Sequence, residues 1–264
     1  MKRIAIVAAL RREVKPLLEN GNWKTTKRQR GQQEIAILET DRAMLVCGGM
    51  GGGPAAEAAE ALHEFSGGAI SLVISAGLAG ALVESLKVGD IFCPEWVYTT
   101  QPHADGAPRR LRSSAGRGGL VSVPGVAGEA EKKELDQSGG AAAVDMEAFS
   151  VAQVAQAHGY PFVAVKAISD EAGFAMPGMG RFIDGQGKFR TARFVTHVAL
   201  RPGMWRAIAR LNKNSARAAR NLCQALHDLI ADDAAHHLEL ISAWTMPGGN
   251  APQTKPAPQE RPAR

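Results

Sequence analysis

The sequence predicts an α/β fold: a single domain with a mixed, mostly parallel central sheet flanked by helices on both faces. Short apolar runs of strand length alternate with helical stretches from Arg3 to Asp170, with no linker between them. Strands that alternate with helices lie parallel and buried, because each crossover helix covers a face of the sheet. The chain has 264 residues, 45% of them apolar, which suffices for one sizeable core.

Ile4 to Ala9 reads as a buried first strand, and Glu34 to Leu38 and Ala43 to Cys47 as a strand pair. Pro54 to Phe65 is an Ala-rich helix with proline in its first turn. Ile70 to Ala76 returns as a strand, and Asp90 to Thr99 follows as a long one. Gln101 to Gly119 is polar and rich in Gly and Arg, the composition of a mobile loop. Gly119 to Val123 is a short strand, Glu129 to Gln137 a charged helix, and Ala141 to Asp145 a strand. Glu147 to His158 is a helix with Val151, Val154 and Ala155 on one face, and Pro161 to Ile168 a strand that ends at Ser169-Asp170. Gly173 to Gly187 has no helical period and reads as an active-site lid or a subunit contact. Thr191 to Trp205 and Ser215 to Trp244 read as helices broken near Arg201-Pro-Gly203. The domain spans residues 1–246. Residues 247–264, rich in Pro, Gln and charge without an apolar anchor, form a disordered tail.

Composition excludes several classes of function. The net charge of +5 comes from Lys and Arg in scattered short groups, while aromatics are only 5%. A nucleic-acid groove interleaves the two on one element, so a solvated basic surface is expected and no nucleic-acid partner. Cys47, Cys93 and Cys223 are far apart and no CxxC or His/Cys cluster occurs, which fits free thiols in a reducing compartment and no metal site. His236-His237 stands alone, without further residues at ligand spacing. The N-terminus lacks a signal-peptide pattern, and no apolar run approaches the roughly 20 residues of a membrane span. The expected location is the cytoplasm.

The chemistry concentrates in a few segments. Ala143-Val-Asp-Met-Glu-Ala-Phe-Ser150 and Phe162-Val-Ala-Val-Lys-Ala-Ile-Ser-Asp-Glu171 place Glu147 and Asp170 23 residues apart, each at the end of an apolar run. Strand ends are where α/β sheets meet their ligands. Gly49-Met-Gly-Gly-Gly-Pro54 sits at a strand-to-helix turn, where bare backbone amides can approach an anion or a sugar. Ala76-Gly-Leu-Ala-Gly-Ala81 precedes Leu86-Lys-Val-Gly-Asp90. Together these segments resemble the nucleoside phosphorylase/nucleosidase superfamily, with its 5′-methylthioadenosine/S-adenosylhomocysteine nucleosidase, futalosine hydrolase and hopanoid-associated phosphorylase branches. The resemblance covers residues 1 to about 172.

The resemblance implies cleavage of the bond between ribose and a purine. That reaction needs a proton for the departing base and stabilisation of an electron-poor ribosyl group, and carboxyl groups can serve both needs. Asp170 matches the acid that protonates N7, in a Ser-Asp pair whose Ser169 lies by the base. Asp is also a common helix cap, which is its bland reading. Glu147 matches the carboxylate on the ribose 2′- and 3′-hydroxyls, with Met146 packed on the sugar; otherwise it is an acid in a first helical turn. Glu13, in Ala8-Ala-Leu-Arg-Arg-Glu-Val-Lys-Pro-Leu17, matches the group that activates water. Gly49, Gly51, Ala79 and Gly80 match the glycine-containing turns near the ribose and the nucleophile, and Val126 stands at the base in place of an aromatic ring.

The sequence departs from the family pattern in ways that bear on the nucleophile. Arg11 and Arg12 replace acidic residues and are candidates for phosphate, or else a solvated first turn. Leu78 stands where the typical pattern has Ser, Thr or Cys, a group that helps hold phosphate in phosphorylases, although the hopanoid-associated phosphorylase and futalosine hydrolase branches also carry an aliphatic residue there. Lys166 stands where nucleosidases carry Arg near the water, and Asp145 where many carry Glu; Asp145 receives no catalytic role. His103, in the polar loop, is a loop histidine that could approach a substrate from a neighbouring subunit or simply face solvent. The leading expectation is hydrolysis of a purine nucleoside by a homodimer or higher homo-oligomer, without a cofactor. The alternatives are phosphorolysis, with phosphate as co-substrate, and a non-catalytic nucleoside-binding protein.

Overall fold

The computed structural model describes residues 2–31, 33–101, 110–137, 140–174, 205–232, 239 and 241. The opening apolar run is β1 (Arg3–Ala8), followed by α1 (Arg11–Glu19), the hairpin β2 (Lys24–Arg30) and β3 (Gln33–Glu39), β4 (Ala43–Cys47) and α2 (Gly52–Ser66). Then come β5 (Ile70–Ala81), β6 (Ile91–Phe92), β7 (Trp96–Thr99), β8 (Arg110–Arg112), β9 (Gly119–Ser122) and α3 (Glu129–Gln137). The last elements are β10 (Ala143–Asp145), α4 (Ala148–Ala157), β11 (Phe162–Asp170) and α5 (Trp205–Ala231). The eleven strands form one mixed sheet in the order β2-β3-β4-β1-β5-β10-β9-β7-β8, with β11 joined to β5 and β6. This is the expected single α/β domain, with five described helices around the sheet.

The central strands are buried on both faces because their apolar residues alternate between two cores. Ala5 and Val7 of β1 join the core under α2 and α4, whereas Ile4, Ile6 and Ala8 join the core under α1 and α5. In β11 Phe162, Ala164 and Ile168 face the first core and Val163, Val165 and Ala167 the second. In α5 Ala218, Leu222, Ala225, Leu226 and Leu229, spaced as one helical stripe, close the second core.

β5 is the hinge of the architecture. Its first half lies parallel to β1, its middle parallel to β11, and its last residues antiparallel to β10. Gly80 is therefore opposite Asp170 on one side, across a register shift after Ile168, and opposite Val144 on the other. The sequence expectation ended this strand at Ala76. It continues to Ala81 because small residues let two neighbours close on it.

Other differences have clear physical reasons. The long strand expected over Asp90 to Thr99 is two strands, β6 on β11 and β7 on β9. Pro94 lies between them, and proline has no N–H to donate to a ladder. Strand β2 gave no apolar signal because it is a mostly exposed edge held by the β3 hairpin. β8 falls inside the stretch expected to be loop and pairs with β7. Helix α5 begins at Trp205 rather than Ser215 and runs unbroken through Asn212-Lys213-Asn214. Residues 102–109 of the expected 101–119 loop, with His103, the Gly173 to Gly187 segment beyond Phe174, the break near Arg201, His236-His237 and the 247–264 tail lie outside the described residues.

Candidate active site

One cleft gathers side chains from α1, the β4–α2 turn, the end of β5, the β9–α3 loop, the β10–α4 junction and the end of β11. Of the residues singled out by sequence, Glu13, Ala79, Gly80, Val126, Met146, Glu147, Ser169 and Asp170 line it, and Leu78 does as well. Gly49 and Gly51 shape the turn beneath, with φ of 107° and 96°. Those values fall where only glycine is at ease, so the turn is reserved for residues without a Cβ. Arg11 and Arg12 are exposed at the start of α1 and do not reach the cleft wall.

Glu13 enters by helical periodicity. It shares the inward face of α1 with Val14 and Leu17, so a carboxylate is turned inward with two apolar residues. Its Oε2 is buried and has no hydrogen-bond partner among the described residues. Burial raises its pKa to about 7 against the opposing pull of Arg12 and Lys166.

Glu147 stands at the N-cap position of α4 but does not cap that helix. Asp145 and Ser122 do: Ala148 N donates to Asp145 Oδ2 at 2.9 Å and Phe149 N to Ser122 Oγ at 3.0 Å, while Ser122 Oγ donates to Asp145 Oδ1 at 2.5 Å. Glu147 is thereby free to cross to the glycine turn, where Gly51 N donates to its Oε1 at 2.7 Å. Burial, and then the negative charge of Asp145, raise its pKa to about 7.

Two buried cations balance this acidity: Lys166, which the sequence places near the water, and Lys132, which sequence reasoning missed. Lys166 is 1% exposed and bridges Asp145 Oδ2 at 2.9 Å and Ser75 Oγ at 3.0 Å. It shares the strand face of Phe162 and Ala164, a position where an unpaired ammonium would be costly. Asp145, left without a role by sequence, is thus the hub that caps α4 and neutralises Lys166. Lys132, on α3, pairs with Asp170 Oδ2 and donates to the carbonyl of Glu171 at 3.2 Å. Its only sequence signal was its i,i+3 spacing from the partly buried Leu135 on a helix otherwise charged. Asp170 Oδ1 accepts from Ser169 Oγ at 2.6 Å, so both of its oxygens are engaged.

The two raised carboxyls couple stability to pH. Folded Glu13 and Glu147 hold protons up to about pH 7 that the unfolded chain releases near 4.5. The folded state therefore binds more protons in that window, and stability falls as pH rises through it. The loss is on the order of 3 kcal/mol per group. Urea midpoints at pH 5 and pH 8 should decline less for Glu147→Gln than for the parent; equal declines would remove Glu147 from this accounting.

Among the described residues no group of three or more His, Cys, Asp or Glu could hold a metal ion, and no helix is long and apolar enough to cross a membrane. Cys47, Cys93 and Cys223 are free, with burial pushing their thiols up to about 12, about 12 and about 11.

Carboxylates gathered where β5, β10 and β11 end in one mixed sheet form a strand-end site of the kind α/β enzymes use, and comparison with known proteins places the chain in a family. The chain belongs to the phosphorylase superfamily, whose family model matches residues 3–111 and 115–200. No curated protein sequence matches the chain at a significant level. The fold is similar to that of Helicobacter pylori futalosine hydrolase, with a TM-score of 0.61, 19% identity, and coverage of 84% of this chain and 95% of that one. It is similar to H. pylori 5′-methylthioadenosine/S-adenosylhomocysteine nucleosidase, at TM-score 0.62 and 19% identity, covering 86% and 98%. The Colwellia psychrerythraea nucleosidase, solved in complex with adenine, matches at TM-score 0.63 and 18% identity, covering 87% and 94%.

Proposed function

We propose that this chain hydrolyses the N-glycosidic bond of a purine nucleoside. The observation that carries the reading is the convergence of Glu13, Glu147 and Asp170, from α1, the start of α4 and the end of β11, on one cleft. Asp170 delivers a proton to the departing purine at N7. Glu147, with Met146 beside it, accepts from the ribose hydroxyls and lies near the developing positive charge, so it favours the transition state over the ground state. Glu13, with Oε2 unpartnered, takes the proton of the attacking water. Val126 and Ser169 border the base, and neither a metal nor an organic cofactor is required.

Three observations favour water over phosphate. Leu78 offers no donor on the cleft wall, the Gly51 amide is already engaged by Glu147, and Arg11 and Arg12 point to solvent. The adenine held by the C. psychrerythraea nucleosidase supports a purine as leaving group. The free, unreactive thiols suit the cytoplasm.

A panel of purine nucleosides assayed with and without phosphate tests the reading. Base release independent of phosphate, with free ribose as product, is expected. Strict phosphate dependence with ribose 1-phosphate would make the enzyme a phosphorylase, and no base release from any nucleoside would make it a binding protein.

A further inference from the structure

We propose that Lys132 is the source of the proton that Asp170 hands to the departing base. The inference deepens the functional reading above and rests on it. A general acid must own a proton, yet both oxygens of Asp170 accept one from elsewhere: Oδ1 from Ser169 Oγ at 2.6 Å, and Oδ2 from the Lys132 ammonium. The proton nearest the base pocket therefore belongs to Lys132. Its side chain and that of Asp170 are 3% and 2% exposed, so the pair is shielded from bulk water. Both residues line the cleft.

The backbone reserves space for this pair. Gly80 lies in register with Asp170, and a Cβ on it would stand 3.0 Å from Asp170 Oδ2, 3.0 Å from Lys132 Cε and 3.1 Å from Lys132 Nζ. Those distances are tighter than ordinary contact, so a larger residue at position 80 would press on the pair, and the ammonium or the carboxylate would have to give by a few tenths of an ångström. The Glu171 carbonyl, at 3.2 Å, fixes the ammonium from the other side.

The step balances as follows. As the C1′–N9 bond breaks, its electron pair moves into the purine, and water bonds to C1′ and gives its proton to Glu13. In the same step a Lys132 N–H bond breaks, its proton passes to Asp170 Oδ2, and Asp170 hands that proton on to N7. Lys132 is left as a neutral amine and regains its proton from solvent when the products leave. Lys132 acts through Asp170 and need not touch the substrate.

Leaving-group chemistry separates this role from a structural one. A 4-nitrophenyl riboside departs as a stable anion and needs no proton. Lys132→Met should lower turnover of a purine nucleoside by on the order of 10²-fold, the usual worth of a positioned acid, while leaving 4-nitrophenyl riboside cleavage within about threefold of the parent. Lys132→Arg keeps the positive charge but carries protons that arginine does not give up. It should remain at least about tenfold slow on the purine nucleoside. Equal slowing of both substrates by Lys132→Met, or full purine turnover by Lys132→Arg or Lys132→Met, would overturn the role of Lys132 while leaving the functional reading intact. A parent that cleaves neither substrate would overturn both.

Discussion

Asp170→Asn is expected to abolish turnover of purine nucleosides while sparing their binding. The amide preserves the shape of the carboxyl group: its oxygen can accept from Lys132, and its N–H2 can donate to Ser169 Oγ, which rotates to accept. What it cannot do is take a proton from Lys132 and pass it to N7. The expected loss in kcat is about 10²-fold or more, with the Michaelis constant little changed, because the interaction removed exists only in the transition state. Steady-state kinetics on two purine nucleosides, with binding of a non-cleavable analogue by calorimetry, would check it. Near-normal turnover on every nucleoside that the parent accepts would remove Asp170 from the reaction.

Glu13→Gln is expected to be the other severe variant. Water attacks an electron-poor ribosyl carbon only weakly unless a base takes its proton, and Glu13 is the cleft carboxylate with a buried, unpartnered oxygen. A glutamine fills the same space without basicity, so base release should fall by about 10² to 10⁴-fold. The pH dependence supplies an independent check. With Glu13 and Glu147 each raised to about 7, the parent must lose both protons to work, so its activity should climb steeply as pH rises through neutrality. The variant, with one titrating group removed, should show a shallower climb. A mild defect in Glu13→Gln, combined with dependence on phosphate, would point to phosphorolysis instead.

Much of this site was legible along the chain because the information is local. Asp170 closes β11 and Glu147 follows just past the end of β10, and strand ends deliver side chains to the crevice of an α/β sheet. Glu13 follows the first strand in a short turn of helix, and the Gly-rich turn precedes α2. The strand pattern itself follows from apolar periodicity, which is why β1, β4, β5 and β11 were readable. The polar edge strand β2 and the three-residue β8 were not, since each is defined by its partner rather than by its own composition.

Sequence alone thus determined the fold class and the carboxylates that are candidates for the chemistry. Only the tertiary structure decided which charges answer them. Lys132 lies 38 positions from Asp170, and Lys166 lies 91 from Ser75, separations across which no local pattern carries a signal. Asp145 looked like a conservative departure in a motif, yet it is the group that caps α4, neutralises Lys166 and raises Glu147. The physical reason is that a buried ion is tolerated only where a partner is delivered by another element. That delivery depends on how β5, β10, β11 and α3 converge, a property of the packed sheet rather than of any one segment.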